Sequence, residues 1–270
     1  MKKFSFISLI VILTFVGTAL ASGSPPGSGW WSGEQIQNVG DDTANVTVTA
    51  YDSADPTSTY SADRDIEPGS SSTILPADFT GMPAGFMGSA VVASNQNIRA
   101  IVNVTNRLAG DYGVDGGLAA AQYQGMNAGD NTLNFPLAKN DYYGKTTTFY
   151  IQNADSQEAT ADVTFFVGSS TYDYTTPPIE PGAMVAVSPS DASMPADGLG
   201  SMQVTSSALL AGVVLEHRTT DNPATLLQAT RGFTTNDADN LVFAPIIKNT
   251  FYNRFTGLQV QNVSGGPVDI

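Results

Sequence analysis

The 270-residue chain contains no cysteine. That excludes disulfides, thiolate metal sites and a cysteine nucleophile, so the chain must be held together by packed cores. It has one histidine, His217, too few for a histidine cluster to hold zinc. Basic residues are scarce: 11 Lys and Arg stand against 25 Asp and Glu, giving a formal charge of −14 at pH 7. Such a surface repels nucleic acid and anionic membranes. Charge of either sign is thin, at 13% of residues, and Lys, Glu and Leu rarely cluster, which favours short strands and turns over helices. Past the first 21 residues there is no long apolar run. Within them, Lys2 and Lys3 precede a mostly apolar stretch from Phe4 to Phe15 and the A-x-A pattern Ala19-Leu20-Ala21. This reads as a secretory signal peptide, too short to span a bilayer. It predicts a mature chain beginning near Ser22, secreted or at the cell surface, with no membrane insertion after cleavage. Nine basic residues against 25 acidic ones then leave −16.

What the sequence does have is a repeat. The phrase "QIQNVG" at Gln35 returns as "YIQNAD" at Tyr150 and "QVQNVS" at Gln259. Gln37 recurs as Gln152, 115 residues on, and as Gln261, a further 109 on. Ile66-Glu67-Pro68-Gly69 reappears as Ile179-Glu180-Pro181-Gly182, Met82-Pro83 as Met194-Pro195, and Gly88-Ser89 as Gly200-Ser201. Pro136, Lys139, Asn140 and Tyr143 recur as Pro245, Lys248, Asn249 and Tyr252. A phrase repeated at domain-sized spacing marks a repeated building block rather than a catalytic motif. Each copy follows an aromatic pair: Trp30-Trp31, Tyr142-Tyr143 or Phe251-Tyr252.

After the phrase comes period-two alternation. Val46, Val48 and Ala50 in copy one match Ala161, Val163 and Phe165 in copy two, the inward set of a half-buried strand. About seven strands fit into each copy of roughly 110 residues, which suits a sandwich of two antiparallel sheets. The expected organisation is a signal peptide over 1–21, a linker over 22–26, β-sandwich repeats over 27–131 and 132–240, and the start of a truncated third repeat over 241–270. Ile270 aligns with Val46 and Ala161, so the sequence stops as a core strand begins. The aromatic pair, the I/V-Q-N phrase, I-E-P-G and the M-P…G-S stretch resemble tandem immunoglobulin-like β-sandwich modules of bacterial secreted and cell-surface proteins. That resemblance implies an all-β fold acting as spacer, adhesive surface or part of a surface assembly.

Candidate chemistry is sparse. His217, at a predicted strand end, reads as a surface residue. Glu67 and Glu180 recur, but each sits in I-E-P-G, where Pro fixes φ and Gly permits a positive one, so they read as turns. Asp237, Asp239 and Asn240 in "TNDADN" offer closely spaced oxygen ligands for calcium, although no complete loop of six to eight oxygens is evident, and an acidic solvated linker is the default. Lys139 and Lys248 hold equivalent positions. Some modules of the resembled kind join such a Lys to an Asn by an amide bond, which needs a neighbouring buried acid; a lysine guarding an edge strand is the simpler reading. Asn45, Asn103 and Asn262 head N-x-S/T triplets. The aromatic pairs can stack on sugars, but their position before a strand favours packing at the joint between repeats.

No catalytic set emerges, and the expected function is a non-catalytic structural or adhesive repeat protein, a spacer or display scaffold without cofactor other than possible calcium. Partners would be a cell-surface or extracellular-matrix component, or further copies of the chain through exposed strands. The alternatives are the accessory region of a larger secreted enzyme, and a subunit that assembles by strand donation.

Overall fold

The structure is a computed structural model that describes residues 29–106, 119–218, 226–253 and 255–269. The signal peptide and linker read from the sequence, and Ile270, lie outside the described residues. The fold is all-β with antiparallel sheets; among the described residues the only other regular elements are two 3₁₀ turns. None of those residues forms a helix long and apolar enough to cross a membrane.

The first repeat builds β1 (Trp30–Asn38), β2 (Ala44–Asp52), β3 (Thr59–Ile66), β4 (Ser71–Ile74), β5 (Gly88–Ser94), β6 (Ile98–Asn106) and β7 (Ala120–Gln124). They form two sheets, ordered β4-β1-β6-β7 and β3-β2-β5. Alternation along β2 sends Val46, Val48 and Ala50 inward, each almost fully buried, while Asn45 and Thr47 face solvent. The core takes Ile36 and Ile74 from one sheet and Val46, Val48, Ala62 and Ile66 from the other.

The second repeat builds β8 (Asp130–Asn140), β9 (Lys145–Asn153), β10 (Asp162–Val167), β11 (Ser170–Thr175), β12 (Met184–Val187), β13 (Gly198–Arg218) and β14 (Leu227–Arg231). The 21-residue β13 takes the places of both β5 and β6: its first half pairs β10 and β8, its second half β9 and β14. Register carries over residue by residue. Val48 faces Val92 as Val163 faces Val204, and Ile36 faces Ala100 as Ile151 faces Gly212. The second core is built on Phe149, whose ring meets Phe135 at 5.2 Å and Phe165 at 5.6 Å, both edge-on.

β8 has no counterpart among the described residues of the first repeat. It runs antiparallel to the first half of β13 and breaks register between Gly200 and Met202, beside Pro136, which has no N–H to give the ladder. The Asn131 amide nitrogen lies at 3.0–3.2 Å from the carbonyls of Ser206, Ser207 and Ala208, bracing the bend of β13.

A third apolar cluster joins the repeats. Trp30, Val104 and Ala121 of the first pack with Tyr150, Leu215 and Ala229 of the second. The two cores stay separate; the seven strands of the second repeat form one sheet through β13, and the outer face of its β9, β13 and β14 part seats on the first repeat. Residues 239–253 and 255–269 form no strand. Lys248 and Thr256 nevertheless repeat a local pattern: the Lys248 N–H donates to Thr256 Oγ1 at 2.9 Å, as Lys139 N–H does to Thr147 Oγ1 at 3.0 Å.

Candidate functional site

The repeated phrase is a clasp. The Asn38 side chain is fully buried at the end of β1; its Nδ2 donates to the Asp42 and Ile66 carbonyls at 2.7 and 2.8 Å, and its Oδ1 accepts from Gly40 N–H at 2.8 Å. Asn153 does the same with the Gln157 and Ile179 carbonyls and Asp155 N–H. Asn262 makes the local half, to the Gly266 carbonyl and from Ser264 N–H. An amide presents both a donor and an acceptor on one short stem, which is why Asn recurs here. The preceding Gln extends the network: Gln37 and Gln152 donate to the carbonyls of Gly69 and Gly182 in the two I-E-P-G turns. Those glycines sit at φ 72° and 79°, as the turn reading requires. Glu67 and Glu180 are exposed on separate turns.

Asp237 is occupied by protein. It pairs with Arg231 at 2.7 and 2.8 Å and accepts from Thr234 N–H and Oγ1, and the Arg231 hydrogen bond holds its carboxyl far below the usual range. Asp239 accepts from the N–H groups of Asn240 and Leu241. Among the described residues no three His, Cys, Asp or Glu side chains gather where they could hold a metal ion.

His217 departs from its expected exposure: it is 5% exposed. Both ring nitrogens are engaged, Nδ1 with the Arg218 carbonyl and Nε2 with Thr148 Oγ1, each at 3.0 Å. The carbonyl places the proton on Nδ1, so Nε2 accepts from the threonine, and burial lowers the pKa. An alternating strand buries one face along its whole length when a second element covers it, and the outer surface of β9 and β13 is covered at this end. Next to it, Glu216, also 5% exposed, meets Lys139 Nζ at 2.9 Å and Lys145 Nζ at 3.7 Å. This is the buried acid that the sequence did not identify. The Asn140 amide donates to the Met194 carbonyl at 2.6 Å, so Lys139 meets a carboxylate and Asn140 is turned to the main chain. Of these groups Glu216 lines a cleft of about 230 Å³, whose walls are chiefly Phe135, Leu137, Thr147, Val214, Thr230 and Phe233.

Sequence reasoning missed Glu34. It occupies the place that Phe149 holds in the second repeat, and its Oε2 is buried without a hydrogen-bond partner. Burial pushes its carboxyl up to about 7. Tyr123 is raised by burial and then by the nearby Glu34 charge, and Tyr150 by burial and then by Tyr123. The available signal was a lone acid in an inward-facing position of a strand.

Of the N-x-S/T residues, Asn45 is tied to Asp65 and Asn95, Asn103 accepts from Gln122, and Asn262 forms the third clasp. The second and third aromatic pairs do not pack at a joint. Tyr142-Tyr143 and Phe251-Tyr252 each meet edge-on at 4.7 Å on turns, with Tyr143 80% and Tyr252 85% exposed. Matching positive φ angles at Asp141 and Thr250, and at Tyr143 and Tyr252, explain the shared shape. Only the first pair, through Trp30, reaches the joint.

No family model matches the chain, and no curated protein does. A solved structure, "Crystal Structure of Thermotoga maritima 1070", aligns with 40% of this chain and 97% of its own at 20% identity and a TM-score of 0.34, a likeness too slight to argue from.

Proposed function

We infer that the chain is a non-catalytic, secreted or cell-surface repeat protein built of tandem immunoglobulin-like β-sandwich modules, acting as spacer or display scaffold. One observation carries the reading: the motif that the sequence repeats most faithfully is consumed in holding strands together, with Asn38, Asn153 and Asn262 each closing a turn. The same holds for the polar groups that invite chemistry. His217 has both nitrogens engaged, Asp237 is locked to Arg231, and Glu216 is neutralised by two lysines. Acidic, cysteine-free modules of this kind suit extracellular display, where loops and strand edges meet partners.

The test is protease shaving of intact source cells, with mass spectrometry of the recovered chain. The expected result is cleavage by an enzyme that cannot enter the cell, and an N-terminus near Ser22. A chain retained inside the cell with residues 1–21 still attached overturns the reading.

A further inference from the structure

We propose that Glu34 makes the joint between the two repeats a proton-controlled hinge: with its carboxyl neutral the outer face of β9, β13 and β14 stays seated on the first repeat, and with it ionised the repeats part while each core stays folded.

The placement comes from the register of β1. Trp30, Glu34 and Ile36 project from the same face of that strand. Ile36 enters the first core and Trp30 enters the apolar cluster that joins the repeats, so Glu34 stands at the boundary between the two. Across the sheet it faces Val102 of β6, which faces Tyr123 of β7. Tyr123 feels the Glu34 charge, and Tyr150 of β9, a member of the joining cluster, feels that of Tyr123. The row Glu34, Tyr123, Tyr150 therefore runs from the first repeat into the second.

Nothing at that place suits a carboxylate. Glu34 Oε2 is buried with no hydrogen-bond partner. Among the described residues, the titratable and charged groups on the strand faces turned toward it are Tyr123 on β7, Asp52 at the end of β2, Tyr60 and Arg64 on β3, Tyr150 on β9, His217 on β13 and Arg231 on β14; β4, β5 and β6 bring none. Arg64 is paired with Asp78 and Arg231 with Asp237. Tyr123 and Tyr150 are raised by burial and keep their protons as Glu34 titrates. His217, lowered from 6.5 by burial, is neutral above that value.

A neutral carboxyl tolerates such a place, whereas a carboxylate needs water. Water reaches Glu34 either by opening the first core or by parting the repeats. The first core buries Ile36, Val46, Val48, Ile66 and Ile74; in the joining cluster only Ala119, Leu215 and Leu227 are buried to that degree, and the rest are partly exposed. Parting the joint uncovers less apolar surface, so it is the cheaper opening. Elsewhere across the joint, Ser89 Oγ donates to the Gly182 carbonyl at 2.6 Å, Gln152 Nε2 donates to the Ala90 carbonyl at 3.3 Å, and the Tyr51 ring covers Gly182. The connection that flexes is 125–129, "GMNAG", between β7 and β8, with a glycine at each end. A chain joined in this way is stiff below neutral pH and articulated above it, wherever it resides.

The experiment uses the absence of native cysteine. Single cysteines are placed in the full-length chain on each side of the joint, by Ala119→Cys and Ala229→Cys, and in the two cores, by Ala62→Cys and Ala161→Cys. Each variant is checked for native circular dichroism, and a second reporter on the opposite side of the joint covers the failure of either one to fold. The rate of modification by a water-soluble aromatic disulfide is divided at every pH by that of the exposed Val39→Cys variant, which removes the titration of the thiol itself. Between about pH 6 and pH 8.5 the joint cysteines should gain reactivity roughly tenfold, the ratio that a carboxyl moved from 4.5 to about 7 allows, and the core cysteines should not. Glu34→Gln should abolish the gain on both sides of the joint. Three outcomes overturn the proposal: no gain at either joint cysteine; a gain that survives Glu34→Gln; or an equal gain at the core cysteines, which would mean that the chain opens as one body.

Discussion

Asn38 and Asn153 make the same three hydrogen bonds at the same place in successive repeats: two donated to carbonyls and one accepted from the N–H two residues on. Both side chains are fully buried. Removing the amide orphans a buried carbonyl and an N–H together, which costs more than the net worth of the bonds. Asn153→Ala should therefore lose roughly 2–4 kcal/mol in chemical denaturation. Asn153→Asp should fare no better, since a carboxylate cannot donate to Ile179. Asn262→Ala, at an exposed clasp, should leave the transition unchanged.

Gly232 and Gly125 occupy corresponding positions after β14 and β7. A Cβ on Gly232 would come 2.8 Å from the Phe135 ring, whereas one on Gly125 would meet Ala100 at an ordinary 3.5 Å. Gly232→Ala should cost about 1–3 kcal/mol by overpacking, and Gly125→Ala should stay within about 0.5 kcal/mol of wild type. Equal thermal midpoints for the two variants would contradict the packing difference between the repeats.

The all-β class and the inward faces were legible because period-two alternation depends on local sequence alone: Val46, Val48, Ala161, Val163 and Phe165 are buried as their spacing requires. The I-E-P-G turns were legible because Pro and Gly act on their own backbone. What escaped was set by contacts distant in sequence. His217 is buried because Thr148 and its neighbours lie across the ladder, and Glu216 finds Lys139 only once β8 lies beside β13. The exposure of Tyr143 and Tyr252 follows from positive φ at aromatic residues, which propensity does not suggest. Likewise the use of one long β13 in place of β5 and β6 leaves no mark in the offsets, because the bend occurs without a change in residue number.

Lys139 and Glu216 form a buried pair with Lys145 at its margin. Removing one partner strands a charge in a nearly dry site. Lys139→Met should cost about 3 kcal/mol, with Lys145 at 3.7 Å limiting the loss. Combining it with Glu216→Leu should restore a large part of that stability. A double variant whose loss equals the sum of the single losses would show that the two groups do not act as a pair.

Glu34 gives the molecule a pH-dependent stability with a defined sign. Its carboxyl titrates near 7 in the native state against an ordinary 4.5, because burial disfavours the charged form. Between those values the native state binds more protons than the unfolded one, so stability is complete below pH 4.5 and falls as pH rises through 7. The full effect is at most about 3 kcal/mol. Asp130, Asp155 and Asp237 are depressed from 3.8 and act below this window. His217, depressed from 6.5 by burial, works in the opposite direction, losing stability as pH falls below that value. The comparison that isolates Glu34 is therefore wild type against Glu34→Gln, in denaturant melts from pH 4.5 to 8. The variant should gain on wild type steadily as pH rises and level off above 7; a constant difference across that range would mean that Glu34 carries no charge penalty at the joint between the repeats.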